Sequence, residues 1–243
     1  MKKLRIMYAV NACLLMVIAA FCVKYDIPAK LFSRITYGGG GIINPVQTEY
    51  YRNRLRLFES FPHAENITVM LGDSLTEYTP FNEFTGFRYR IQNRGISSDN
   101  TQGVLHRLDE VIGLKAAKIF ILLGINDIGN AMPLSETIKN YREIVNRLKE
   151  SSPSTKIYVQ SVFPVDHRKL ADNDRCRRRT SAAIVRLNAE LEALARETGC
   201  EFVDTYSVFA DEHGEMDGGC TFDGLHLNEA GMIRWCKFLE RYL

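Results

Sequence analysis

At 243 residues the chain has room for one large domain and a short appendage, not two full domains. With 46% hydrophobic and 25% charged residues it is neither disordered nor fibrous, and 31 Lys and Arg against 29 Asp and Glu give a net charge of only +2. That near-balance supplies no basic stripe for nucleic acid, and six cysteines without a C-x-x-C pair make neither a disulfide scaffold nor a zinc or redox motif.

Residues 1–35 read as a targeting segment. Lys2, Lys3 and Arg5 precede an apolar run over 6–23 that only Asn11 interrupts. As a helix such a run is about 27 Å long, just short of the ~30 Å hydrocarbon core of a bilayer. Two readings fit: an uncleaved single-span anchor, and a cleaved secretory signal, for which Ala20-Phe21-Cys22 is a poor small-x-small site. Under either, the rest of the chain works outside the cytoplasm, in the periplasm or at the cell surface.

Residues 36–62 come next. Gly38 to Gly41 are four consecutive glycines with no Gly-Lys-Ser/Thr after them, so they read as a flexible spacer rather than a phosphate loop. Beyond them Tyr50, Tyr51, Leu55 and Phe58 recur at helical spacing with charges between, which predicts an amphipathic helix packed on the domain and ending at Pro62.

Over 63–243 strands and helices alternate. The runs 67–71, 118–123, 156–162 and 201–204 are rich in β-branched and aromatic residues and bounded by Gly or Pro, as buried parallel strands are. Helical patterns cover 101–111, 135–151, 175–198 and 228–242; in the third, Ile184, Leu187, Leu191 and Leu194 share a face and Gly199 suits a C-cap. Repeated strand–helix units with short connections imply a doubly wound three-layer α/β domain, reactive at the carboxyl ends of its strands.

Three motifs fall at such ends. Gly72-Asp73-Ser74-Leu75 follows the first strand and puts a serine at a helix start, where the hydroxyl is exposed and the backbone N–H can face an oxyanion. Gly124-Ile125-Asn126-Asp127 follows 118–123, and its Asn side chain can donate to the same oxyanion without neutralising the nucleophile. Asp223-Gly224-Leu225-His226 opens the last helix, with a histidine to take a serine proton and a carboxylate three positions earlier to hold its other ring nitrogen. Each motif alone also fits a cap or a turn. All three in this chain order point to one site.

With these blocks the sequence resembles the SGNH/GDSL hydrolase superfamily, and most of all its bacterial members akin to platelet-activating-factor acetylhydrolases. Gly-Asp-Ser-Leu matches the first block, Gly95 in Asn93-Arg94-Gly95-Ile96-Ser97 the second, Gly-x-Asn-Asp the third and Asp-x-x-His the last, over 67–243. The resemblance implies a flavodoxin-like sheet of about five parallel strands, no cofactor and no metal. It implies Ser74 as nucleophile, His226 as general base and Asp223 as its orienting partner. The oxyanion hole would comprise the N–H groups of Ser74 and Gly95 and the Asn126 side chain. Around Ser74 there is no Gly-x-Ser-x-Gly elbow, which disfavours an ordinary α/β-hydrolase.

Asp73 reads as a brace for the nucleophile turn, and Asp127 as the residue that fixes the loop aiming Asn126. Arg175-Cys176-Arg177-Arg178-Arg179 is a basic cluster that suits a solvated face or an anionic substrate or headgroup. Residues 211–219 fit no calcium loop, His63, His106 and His167 lack zinc spacing, and Cys176, Cys200, Cys220 and Cys236 allow three disulfide connectivities. The expected activity is hydrolysis of small acyl esters, acetyl groups on carbohydrate foremost. An acyltransferase on surface glycans and a lysophospholipase-type lipid esterase are the alternatives; oligomeric state is not legible.

Overall fold

The computed structural model describes residues 44–62 and 64–243, which form one compact unit. The expected targeting segment and the four glycines lie outside the described residues. Among the described residues no helix is long and apolar enough to cross a membrane.

Helix α1 (Glu49–Glu59) starts at Thr48, whose hydroxyl accepts the N–H of Tyr51. Its buried face carries Tyr51 and Phe58, which pack with Ile96 in a cluster of their own. Tyr50, expected on that face, is instead 48% exposed. One position from Tyr51, it is turned about 100° around the helix axis.

Strand β1 (Thr68–Gly72) is buried along its whole length, as a central parallel strand covered on both faces must be. Short helices α2 (Ser74–Glu77) and α3 (Phe81–Phe84) follow, then β2 (Ile91–Gly95), which the sequence reading missed. Strand β2 reads Ile-Gln-Asn-Arg-Gly because it is an edge strand, where polar side chains are tolerated. The helix expected over 101–111 is two helices, α4 (Thr101–His106) and α5 (Leu108–Gly113), broken at Arg107.

After β3 (Lys118–Leu122) come α6 (Ile125–Gly129), α7 (Leu134–Ser151) and β4 (Lys156–Gln160). The long helix expected over 175–198 is also two: α8 (Asp174–Arg178) and α9 (Ser181–Thr198), the latter capped by Thr180, which accepts from Ala183 N–H. Its apolar face is as expected, with Ile184, Leu187, Leu191 and Leu194 buried and Gly199 left-handed at the C-cap (φ 68°). Strand β5 (Glu201–Val203), α10 (Tyr206–Phe209) and α11 (Glu229–Leu239) complete the domain.

The five strands are all parallel, in the order β2-β1-β3-β4-β5. This is the flavodoxin-like doubly wound arrangement, and its order reverses at β1. The segments leaving β1 and β3 therefore diverge to opposite faces and open a crevice at the carboxyl edge. On one side of the sheet Trp235 of α11 is wedged between Phe81 (5.1 Å) and Phe163 (5.0 Å) and donates its ring N–H to Gln160 Oε1 at 2.9 Å. This contact seats the helix that follows the Asp-Gly-Leu-His motif.

Candidate active site

The crevice at the carboxyl edge gathers the three sequence motifs. Ser74 is the first residue of α2. Asp73 before it is the N-cap, its carboxylate accepting the N–H of Leu75 at 3.0 Å. The expected brace is therefore a helix cap.

The Asp223–His226 motif does not open the last helix, which starts at Glu229 with Asn228 as N-cap. It lies in a turn ahead of it, stapled by Thr221. The Thr221 hydroxyl donates to His226 O at 2.7 Å and accepts from Gly224 N–H at 2.9 Å. Gly224 has φ 86°, and a Cβ there would lie 2.4 Å from Asp166 O, so the close packing of this turn on the segment after β4 requires glycine.

Ser74 Oγ lies 2.9 Å from His226 Nε2, and His226 Nδ1 lies 2.7 Å from Asp223 Oδ2. A carboxylate only accepts, so the ring carries its proton on Nδ1 and presents Nε2 to Ser74 as an acceptor. Asp223 Oδ1 also accepts the N–H groups of Leu225 (2.9 Å) and His226 (2.7 Å). Burial pushes the Asp223 carboxyl up, but the His226 hydrogen bond and these two N–H groups outweigh it and hold the pKa below the usual carboxylate value. Two exposed rings, Tyr78 and Phe222, flank His226 at 5.4 and 5.9 Å.

Asn126, the second residue of α6, is oriented without ambiguity. Arginine nitrogens only donate, and Nη2 of Arg179 and Nη2 of Arg175 both donate to its Oδ1, at 3.0 and 3.2 Å. Its Nδ2 donates to Asp99 O at 2.9 Å and makes only a long 3.4 Å contact with Asp73 Oδ2, leaving its second N–H weakly engaged. The break between α8 and α9 allows this arrangement. Arg179, 4% exposed, turns inward there and also donates from Nε to Ile125 O.

Gly95 does not stand as expected. Its N–H donates to Asn93 Oδ1 at 2.8 Å and is not free for an oxyanion. The glycine is needed for space, because a Cβ would lie 2.2 Å from Glu77 N where β2 meets α2. In the same connection Ser98 has φ 65°, and its N–H makes no hydrogen bond among the described residues. Asp99 beside it accepts from Asn126, and on its other side Ser97 Oγ bonds Tyr78 OH at 3.0 Å.

Asp127 holds the start of α4 rather than Asn126. Its carboxylate accepts the N–H (3.3 Å) and hydroxyl (2.5 Å) of Thr101. Burial pushes Asp73 up to about 7 and Asp127 to about 6.

The model of the GDSL-like lipase/acylhydrolase family matches residues 70–233. The chain belongs to that family.

A solved Streptococcus pneumonia structure described as a platelet activating factor is 29% identical and superposes with a TM-score of 0.72, over 92% of this chain and 98% of that one. The acetylxylan esterase Axe2 of Geobacillus stearothermophilus superposes with a TM-score of 0.59 at 20% identity, over 74% and 94% of the two chains, and shares the fold. Among curated proteins, the N-acylneuraminate cytidylyltransferase of Escherichia coli is 26% identical over 176 residues, 70% of this chain and 38% of its own length. The chain spans between 38% and 60% of the length of the curated relatives it matches.

Several residues of this GDSL-like site escaped the sequence reading. Arg107, fully buried, pairs with Asp99 at 2.8 Å and donates to Gly72 O (3.2 Å) and Arg94 O (2.8 Å), tying the ends of β1 and β2 to the connection that carries Ser98. Glu77 accepts Ser97 N–H (2.6 Å) and hydroxyl (2.7 Å), pairs with Arg54 of α1 (2.9 Å) and is bonded by Tyr50 OH. One signal was available: an arginine directly before Leu108 in an apolar helical pattern. Among the described residues no cluster of three or more His, Cys, Asp or Glu could hold a metal, and Cys176, Cys200, Cys220 and Cys236 are free thiols.

Proposed function

We propose that the chain is a serine esterase that cleaves small acyl esters through an acyl-enzyme, with Ser74 as nucleophile, His226 as general base and Asp223 as its orienting carboxylate. The observation that carries this reading is the continuous relay of 2.9 and 2.7 Å from Ser74 Oγ through the His226 ring to Asp223. His226 Nε2 accepts the hydroxyl proton as Oγ attacks the ester carbonyl. Asp223, held charged, stabilises the imidazolium that forms. The same ring then returns the proton to the departing alcohol. Water, activated in turn by Nε2, releases the acid.

The developing oxyanion is met by the N–H of Ser74, the weakly engaged N–H of Asn126 Nδ2 and the N–H of Ser98 in place of Gly95. Ser74 and Ser98 have their backbone N–H groups unspent within the described residues. Donors fixed in advance by surrounding hydrogen bonds need no reorganisation during reaction, and each is worth ~3 kcal/mol in comparable enzymes.

Acetyl esters on carbohydrate are the substrates we favour. The chain shares its fold with an acetylxylan esterase, and Tyr78 and Phe222 offer flat apolar faces beside His226. The apolar run over 6–23 behind its positive charges supports work outside the cytoplasm, and protection of the C-terminal domain from external protease on intact cells would refute that placement.

A panel of aryl esters from acetyl to octanoyl, run on the wild type and Ser74→Ala, tests the whole. The expected result is a preference for the shortest acyl group and loss of turnover by at least about a thousandfold in Ser74→Ala. Wild-type hydrolysis by Ser74→Ala would remove the assignment.

A further inference from the structure

Arginine carries five N–H donors. Arg175, half-buried in α8, makes one hydrogen bond among the described residues, from Nη2 to Asn126 Oδ1 at 3.2 Å. Its Nε is shut off from solvent with no partner. The charged or polar groups that influence it are Arg179, Arg178 and the Cys176 thiol, with no carboxylate among them.

Two of the chain's buried arginines have a carboxylate partner, whereas Arg179 spends its donors on Asn126 Oδ1, Ile125 O and Cys176 Sγ. Arg94 meets Glu110 at 2.7 Å and Arg107 meets Asp99 at 2.8 Å. A desolvated cation without a counter-ion is costly, and unused donors add to the cost. Burial and the neighbouring Arg179 push the Arg175 guanidinium down to about 10, so it remains charged at neutral pH. An anion from outside the chain would offset the charge and meet Nη1, which has no hydrogen bond among the described residues and, unlike Nε, is not shut off from solvent.

The position says where that anion sits. Arg175 shares Asn126 with the ester: the guanidinium holds the amide oxygen and the amide nitrogen faces the reacting carbonyl. Two hydrogen-bond lengths and the width of an amide separate Nη2 from the ester oxygen, roughly 8 Å.

We propose that Arg175 is an anion-recognition residue and that the preferred substrates are esters carrying a carboxylate within about 8 Å of the scissile carbonyl. This rests on the esterase reading above and deepens it to a substrate class. The basic segment 175–179 then has two parts: Arg179, turned inward, fixes Asn126, while Arg175 bridges Asn126 and the substrate.

The test compares matched ester pairs that differ only in charge. 3-Acetoxybenzoate against 3-acetoxybenzamide places the carboxylate on the alcohol side; phenyl hydrogen succinate against phenyl succinamate places it on the acyl side. In the wild type at low ionic strength, kcat/KM for the charged member of one pair should exceed that of its neutral partner by about tenfold or more, and the ratio should shrink as salt is added. In Arg175→Gln that ratio should fall towards one, and Arg175→Lys should keep part of it. The ratio cancels any loss common to both members through Asn126.

Ratios at or below one for both pairs in the wild type, or a ratio untouched by either Arg175→Gln or Arg175→Lys, would overturn the proposal. The wild-type ratios need no variant to fold. Ser74→Ala in the same assay separates the two levels: if it still cleaves the neutral members, the esterase reading fails; if it is inert while the wild type shows no charge preference, only the role of Arg175 fails.

Discussion

Arg179 Nη2 donates to Asn126 Oδ1 at 3.0 Å, across the gap between the end of α8 and the start of α6. A buried guanidinium thereby holds the side chain we propose as the oxyanion donor from the β3 side of the crevice. Removing that donor in Arg179→Met should loosen Asn126, which then keeps only Arg175 on its oxygen and Asp99 O on its nitrogen, lowering kcat by about 10- to 100-fold with little change in KM. Arg179→Lys, which keeps a donor and the charge, should recover part of the loss. Steady-state kinetics on short aryl esters decide it; a rise in KM at constant kcat would mean that Arg179 serves ground-state binding instead.

Asn126→Ala removes the donor itself. Turnover should drop by about 10²–10³; the melting temperature should also fall, because Asn126 is buried and accepts from both Arg175 and Arg179, so rates are compared well below the variant's melting temperature. Covalent labelling of Ser74 by a fluorophosphonate should slow in parallel, since the adduct carries the same oxyanion geometry. Unchanged labelling would place the oxyanion elsewhere.

Gly95 separates space from hydrogen bonding. Gly95→Ala keeps the backbone N–H but drives a Cβ to within 2.2 Å of Glu77 N. The variant should lose several kcal/mol of stability in denaturant unfolding, whatever its activity. A variant of wild-type stability with impaired catalysis would restore Gly95 to the oxyanion hole.

Asp73 gives the stability a pH dependence. Its folded pKa is raised from 3.8 to about 7 by burial, so between those values the folded state binds the proton and the unfolded state does not. The stabilisation is therefore complete below about pH 4 and is lost as the pH rises through 7. Each pKa unit is worth about 1.4 kcal/mol, so the slope is measurable. Thermal melts from pH 4.5 to 8 should show wild-type stability falling more steeply with pH than that of Asp73→Asn, which cannot ionise. Parallel slopes would show that Asp73 is ionised throughout.

Asp223→Asn tests the relay at its far end. An amide offers an N–H to Nδ1 as readily as it accepts, which favours the tautomer with the proton on Nε2, facing Ser74. The expected loss in kcat is about 10⁴-fold at neutral pH, with the fold retained by circular dichroism. A loss of less than tenfold would show that His226 does not depend on this carboxylate.

What the sequence determined by itself is the class of fold and the choice of Ser74, Asn126, Asp223 and His226 as candidate site residues. Buried strands such as 68–72 and 118–122 are continuous apolar runs, and the motif residues sit at breaks that Gly marks, so local patterning suffices to place them. Strand β2 escaped because an edge strand need not be apolar. The breaks at Arg107 and Arg179 escaped because arginine is a good helix former, and each leaves its helix for partners that include residues far away in sequence: Gly72 for the first, Ile125 and Asn126 for the second.

Tertiary structure alone decided which N–H groups remain unspent, that Gly95 supplies room rather than a donor, and that Arg175 keeps a half-buried charge with no ion pair among the described residues. Some of these depend on a near neighbour, as Gly95 on Asn93, and others on segments far apart, as the relay from Ser74 to His226 across 152 residues. The strand order that closes those distances is a property of the folded sheet, which no local pattern encodes.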